Sequence, residues 1–445
     1  MNNSGMAVRV LLVAFLLSAV AVSIFFYLEW EKPQVKLDTP LEMIGQHTDI
    51  TITLTDLKSG IRMYTVSIVQ DEQRTVVATE EFPDSGLYEK TVDIQVNPRQ
   101  LKIQDGDAVF RVEAVDFSPL KNTTVLEVAV GIDSIPPQIS LLTSAHNVNP
   151  GGTCLVLYTV SKEVVKSGVL CDGEFFHGYL VEESGKKSYV CYFAIPMDVE
   201  RATPMAVMGV DRGGNETRVG IPFYVRKAHT FRSDTVSVST SFITQKAVEF
   251  QQRDATLSGK SPLEMFVHIN TTLREENDAA IRSICEKTDT RQLWHGAFSR
   301  MENAATMSRF GDRRTYTYEG KPIGESIHYG IDLASTMHAP VSASNSGTVI
   351  FAEPLGIYGN SVVIDHGQGI MSLYSHLSAI GVQVGQAVEK GSLIGNTGAT
   401  GFAGGDHLHF SILVGSRYVN PIEWWDPHWI QDNVEKKLRH VFSGT

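Results

Sequence analysis

Cysteine is scarce: four residues in 445, Cys154, Cys171, Cys191 and Cys285, with no Cys-x-x-Cys pair among them. That spacing disfavours a cysteine-ligated zinc site and leaves open whether one bridge forms or all four stay buried thiols. A basic excess is lacking too. The chain sets 38 Lys and Arg against 50 Asp and Glu, and a net charge of -12 argues against a nucleic-acid partner, which wants a basic face. No low-complexity tract and no long run of like charge occurs, so nothing marks a charged or disordered tail. Long apolar runs reduce to one, Val10 to Leu28, interrupted only by small Ser and Ala residues.

That run is long enough to cross a hydrocarbon core of about 30 Å. Arg9 precedes it and Glu29 and Glu31 follow, which by the positive-inside rule leaves residues 1–9 in the cytoplasm. No clear Ala-x-Ala site stands at the end of the run, directly before Glu29, which favours an uncleaved signal anchor over a cleaved leader. The expectation is a single-pass protein of the inner (cytoplasmic) membrane, with residues 10–28 as a transmembrane helix and the rest extracytoplasmic.

The length of 445 residues suggests roughly three domains. Beyond a tether near Pro33, Ile50, Ile52 and Leu54 alternate with Thr51, Thr53 and Thr55, the period-2 pattern of a half-buried strand. Similar runs at Met63 to Val69, Lys90 to Val96 and Val109 to Val115, separated by Gly, Pro and Asp clusters, predict an antiparallel β-sandwich over 34–132. A second such module is expected over 133–227. Gly209-Val-Asp211 and the following Asn215 echo Ala114-Val-Asp116, and Asp133-Ser-Ile-Pro-Pro137 marks the junction. Both look immunoglobulin-like, without the Cys…Trp…Cys signature of antibody domains, and read as spacers more readily than as binding modules. Within 228–305, Ser261-Pro-Leu-Glu264 reads as a capping box. Leu263, Phe266, Val267, Leu273, Ile281 and Ile284 then predict two helices broken near Asn270-Thr-Thr272, a short segment that braces or covers the last third of the chain.

Chemistry concentrates in that last third. In Asp406-His-Leu-His409, a strand would place His407 and His409 on one face, roughly 7 Å apart at Cα. An HxH triplet is weak alone, but His328 and Asp332 stand upstream at His-x-x-x-Asp spacing. Catalytic zinc takes three protein ligands and keeps one position for water, and His328, Asp332 and His409 would fill such a shell. A metal there would bring a bound water to ionise near pH 7 and polarise a carbonyl as a Lewis acid. Geometry alone does not say which histidine of the pair holds the metal. Cleaving an amide also needs a group to take the proton of water and return it to the leaving amine, work for which histidine is the usual choice near neutral pH. His338, His366 and His428 read as structural, and Asn360 as a turn residue.

Between these patterns lie Tyr358-Gly-Asn-Ser-Val-Val-Ile-Asp-His-Gly367, Leu373-Tyr-Ser-His-Leu377 and Gly391-Ser-Leu-Ile-Gly-Asn-Thr-Gly398. From near Phe310 to Pro421 the chain resembles the M23 (LytM or lysostaphin-type) metallopeptidases. The resemblance implies an antiparallel β domain, bounded here as 306–430 with a tail at 431–445, holding one Zn2+ on His328, Asp332 and His409. It further implies His407 as general acid/base and His376 as the group that orients water or stabilises the oxyanion. Asp406 departs from the proline common before this triplet, which bears on loop shape rather than on the ligand set. The clearest strands are Gly347 to Phe351, Ser361 to Asp365 and His407 to Leu413.

The fold expected is thus mainly β and multidomain, with an N-terminal transmembrane helix, two β-sandwich modules, a short helical segment and the peptidase domain. The function expected from the resemblance is cleavage of the peptide cross-links of peptidoglycan in wall growth, division or remodelling. Peptidoglycan stems and the membrane would be the partners, with cell-wall or division proteins as further candidates. The alternative is a silent LytM module that activates another wall hydrolase; such modules usually lack ligands that are present here.

Overall fold

The computed structural model describes residues 4–27, 29–84, 86–144, 146–183, 185–226 and 231–442, and the side chains of 4–8, 21 and 23–27 lie outside that description. Ser4–Tyr27 is α-helical and exposed over residues 9–20. Among the described residues no helix is long and apolar enough to cross a membrane. The span expected over Val10 to Leu28 therefore finds no support there, and its far end lies outside the described residues.

The described residues form two compact units. The first comprises residues 1–137 with 162–165 and 210–217. Its sandwich packs a sheet of Gln34–Leu37, Thr48–Thr55 and Glu89–Val96 against a five-stranded sheet centred on Gly106–Asp116. The alternation read from the sequence is physical. Ile50, Ile52 and Leu54 are buried while Thr51, Thr53 and Thr55 are not, and each inward side chain contributes on the order of 1.5–3 kcal/mol by leaving water. They meet Phe110, Val112 and Ala114 from the facing sheet.

The second unit, residues 138–161, 166–209 and 218–445, holds the second sandwich, the helical segment and the C-terminal β domain together. They share a core rather than standing apart as a spacer and its cargo. Tyr192 of the sandwich, Trp294, Phe298 and Trp424 form an aromatic cluster with ring centroids 5.2–6.3 Å apart. Buried Glu423 accepts hydrogen bonds from Asn149 Nδ2 (2.6 Å) and Thr153 N (2.7 Å) of the sandwich. The expected tail after 430 is helical to Phe442, with Val434, Val441 and Phe442 buried, and residues 443–445 lie outside the described residues. Cys154, Cys171, Cys191 and Cys285 are all free and buried; burial pushes the Cys154 thiol up to about 11 and Cys171 to about 12.

The helical segment departs from expectation in two ways. The capping box forms, with Glu264 N donating to Ser261 Oγ and Ser261 N to Glu264 Oε2. At Asn270-Thr-Thr272, however, the helix does not break. A π turn, Ile269–Leu273, carries Pro262–His268 directly into Arg274–Ile284. The physical reason is Asn270, which is buried and donates through Nδ2 to Glu325 O (3.2 Å), so the wider turn turns a polar side chain inward. A further helix, Thr240–Gln251, was not legible in advance, and Ser233–Ser237 adds a parallel strand to the hairpin Arg313–Tyr318/Lys321–Ile327.

In the C-terminal β domain one sheet runs in the order Ala305–Ser308, Ile331–Ala334, Leu408–Val414, Ile370–Leu377, Gly359–Asp365, Gly347–Leu355, Ala387–Val388, with Arg417–Val419 paired to Leu408–Val414. All its pairings are antiparallel. His407 lies one residue ahead of its strand, in an isolated bridge to Gly398.

Candidate metal centre

Register assembles the site. Asp332 lies directly opposite His409 on the adjoining strand, and His409 lies opposite Ser375 on the next, which brings His376 alongside. His328 precedes the Asp332 strand and is fixed by backbone bonds to Gly311 and Asp312. The three atoms His328 Nε2, Asp332 Oδ1 and His409 Nδ1 converge: the separations are 2.9 Å, 2.9 Å and 3.0 Å, and all three residues are buried. Ligands held at 2.0–2.1 Å around a tetrahedral ion would stand roughly 3.3 Å apart, so the donor set is close to the size zinc needs.

The hydrogen-bond network assigns the protons. His328 Nδ1 meets Arg309 O at 2.9 Å, so its N–H points there and Nε2 is bare. Ser411 Oγ donates to Tyr329 O (2.8 Å) and so receives the N–H of His409 Nε2 (3.0 Å), leaving Nδ1 bare. Two imidazole lone pairs and a carboxylate thus face one another at hydrogen-bond distance with no proton to share, an arrangement that a cation stabilises. Gly330 is needed beside them: a Cβ there would lie 2.6 Å from His409 Nε2 and from Ser411 Oγ.

His376 and His407 border the same groove, their rings 4.8 Å apart. Each gives its Nδ1–H to a backbone carbonyl, Thr400 O and Gly405 O respectively, at 2.9 Å, which frees both Nε2 atoms. His407 Nε2 lies 3.5 Å from Asp332 Oδ1. Burial pushes His409 down to about 4 and His376 well below the ordinary imidazole range, so both are neutral at pH 7. For His407, burial is outweighed by the Asp332 carboxylate, and the ring is held above its ordinary value. His376 has φ +63°, a left-handed conformation rare for a non-glycine residue, of the kind that clusters at functional sites.

Several contributors had no local signal in the sequence. Arg314 Nη2 approaches the second carboxylate oxygen of Asp332 at 3.3 Å. Lys246, 2 % exposed, donates to Gly401 O (2.6 Å) and so steadies the loop whose Thr400 carbonyl orients His376. Tyr358, its ring tilted 57° to that of His409 with centroids 5.8 Å apart, donates to Asp278 Oδ1 (2.7 Å) of the helical segment, and Asn277 Oδ1 accepts from Ile357 N (2.7 Å). The groove itself has a volume of about 320 Å³, and Asp234, Val236 and Arg274 of the segment line it along with Arg314. Asp406 shapes the loop beside it, accepting from Thr397 Oγ1 and His338 N. His366 is buried between Ser346 O and Ser372 Oγ, away from the site, and His428 is exposed.

Residues 326–421 match the model of peptidase family M23, and this C-terminal part of the chain is an M23 peptidase domain. The chain is 42% identical over 96 residues to the DD-carboxypeptidase/endopeptidase Mpg of Neisseria meningitidis, covering 22% of each chain. It is 38% identical over 118 residues to the peptidoglycan DD-endopeptidase ShyA of Vibrio cholerae, covering 26% of each. These matches span about a fifth to a quarter of the curated relatives' length. The solved catalytic domain of lysostaphin from Staphylococcus simulans is 29% identical with a TM-score of 0.24, covering 28% of this chain and 92% of that one.

Proposed function

We propose that the chain is a zinc metalloendopeptidase that hydrolyses peptide cross-links of peptidoglycan from the outer side of the cytoplasmic membrane. The observation that carries this is the convergence of His328 Nε2, Asp332 Oδ1 and His409 Nδ1 as three bare acceptors. His328, Asp332 and His409 would hold one zinc ion, which would supply an acidified water and a Lewis acid for the scissile carbonyl. His407, with Nε2 free beside Asp332, takes the proton and returns it to the leaving amine. His376, neutral, offers its bare Nε2 from across the groove as an acceptor for a hydrogen of the water and so orients it. The substrate class is supported by the names of the relatives, and the anchor by the apolar run Val10 to Leu28.

The test is a substrate panel. The zinc-loaded chain in detergent is given purified sacculi, an unstructured protein and a polyglycine peptide, and products are identified by mass. Selective opening of wall cross-links is the expected result. Zinc retained with no cleavage of any substrate would refute the enzymatic reading and favour a regulatory module. Recovery of the chain in the soluble fraction of cells would refute the anchor.

A further inference from the structure

One sheet of the second sandwich has an open edge. Its strand Lys186–Ala194 is paired on both sides, to Tyr179–Glu183 and to Thr153–Val160, whereas Tyr179–Glu183 ends the sheet. Register decides which backbone groups of that last strand are free. Leu142 N donates to Leu157 O (2.8 Å) and Ser161 N to Gln138 O (2.9 Å), so the alternation of an antiparallel sheet turns Tyr158 the other way, toward Tyr189. Leu180, opposite Tyr189, therefore points its N–H and C=O to the open side, and Glu182 does the same. Such an edge is a template for another strand.

A cleft of about 780 Å³ follows this edge. Leu180, Val181, Glu182 and Glu183 all border it, and since successive side chains alternate between faces, a cavity that meets four in a row runs along the edge. A strand as long as this one, five residues, extends about 16 Å and at spacings of about 4.8 Å between strands and 10 Å between layers takes up roughly 800 Å³. The cleft has room for one more strand. Gln368 also lines it; this residue is 4 % exposed and held in a left-handed conformation (φ +54°). Its N donates to Asp289 O (2.7 Å) and its Nε2 to Thr290 O (3.3 Å), while no donor among the described residues meets its Oε1. A buried amide oxygen left bare in the lining of a cleft is the complement of a peptide N–H. Of the charges around it, Glu182 is paired with Lys187 and Arg291 with Asp289, which among the described residues leaves Glu183 and Glu435 against Arg439. The unpaired balance is acidic, and Leu180, Leu438 and Phe442 add apolar surface.

We infer that this cleft docks an extended, basic segment of a partner protein, which adds a strand to Tyr179–Glu183. Main-chain bonds to Leu180 and Glu182 supply affinity, Gln368 Oε1 accepts one further N–H, and Glu183 and Glu435 select cationic side chains. The surface lies apart from the metal centre and is independent of the peptidase reading.

The experiment uses the full chain in detergent, kept zinc-loaded. A fluorescein-labelled heptapeptide of alternating valine and lysine, and its counterpart with glutamate in place of lysine, are titrated and followed by anisotropy. Saturable binding of the lysine peptide is expected, about tenfold or more tighter than that of the glutamate peptide. Leu180→Pro, which deletes an outward N–H, should weaken it about tenfold relative to Leu180→Ala, which keeps that N–H. Glu435→Lys should erase most of the preference for the lysine peptide. Should the proline variant fail to fold, as Tm would show, Glu435→Lys still decides the matter. No saturable binding of the lysine peptide to the wild type, equal binding of the two peptides, a folded Leu180→Pro that binds like Leu180→Ala, or a preference that Glu435→Lys leaves intact overturns the inference.

Discussion

Removing one hydroxyl, Ser411→Ala, tests the logic of the metal centre without touching a ligand. Ser411 is fully buried; its Oγ donates to Tyr329 O and accepts from His409 Nε2–H, which is what turns the Nδ1 lone pair of His409 toward Asp332 and His328. With alanine the imidazole loses the partner that fixes its tautomer and ring angle. Loss of such an outer partner lowers metal affinity by about 10- to 100-fold, equivalent to roughly 1.4–2.7 kcal/mol. The stranded Tyr329 carbonyl and His409 N–H add a stability cost of about 1–3 kcal/mol. Competition with a chromophoric chelator measures the affinity, and imidazole nitrogen NMR reads the tautomer. Turnover should return toward wild type once zinc is saturating, because His376 and His407 are untouched. Unchanged affinity would refute the reasoning, and so would an activity loss that saturating zinc does not restore.

Four more outcomes are expected. Gly330→Ala should cost zinc outright, since its Cβ would lie 2.6 Å from His409 and from Ser411 Oγ; metal analysis of the purified variant checks this. His409→Ala and Asp332→Ala should lose zinc and activity together, while His407→Ala loses activity and largely keeps zinc, and a metal-free His407→Ala would reverse the division of roles. Lys246→Met should keep zinc but lower turnover by up to roughly 100-fold, because the loop carrying Thr400 O loses its anchor to the helix Thr240–Gln251. Finally, Glu423 is raised by burial to about 7 from 4.5, against the pull of Asn149 and Thr153. The folded state therefore binds the extra proton. Its stabilisation is complete below pH 4.5 and fades as pH rises through 7, by about 3 kcal/mol. Denaturant midpoints across this window should fall in the wild type and flatten in Glu423→Gln.

What the sequence disclosed was local and periodic. Ile50, Ile52 and Leu54 announce a strand because burial alternates with the pleat, and Ser261 with Glu264 announces a helix start because both bonds close within one turn. The spacings His328-x-x-x-Asp332 and His407-x-His409 mark a candidate ligand set, the resemblance to M23 peptidases adds His376 and the division of roles, and the sheet register is what brings Asp332, His376 and His409 alongside one another. Arg314, Lys246 and the Tyr358–Asp278 pair could not be named in advance, since each meets its partner only through tertiary packing. The π turn at Ile269–Leu273 hid for a related reason: Asn270-Thr-Thr272 looks like a break until Glu325 O is there to receive the asparagine. The merging of the second sandwich with the peptidase domain rests on Tyr192, Trp294 and Trp424, scattered over more than two hundred residues.

The most direct test measures bound zinc and sacculus cleavage on the same samples while metal is stripped and returned. The account predicts one zinc per chain, cross-link opening that vanishes on chelation, and recovery with one equivalent of zinc in the wild type but not in His409→Ala. Cleavage undiminished after exhaustive removal of metal would contradict it.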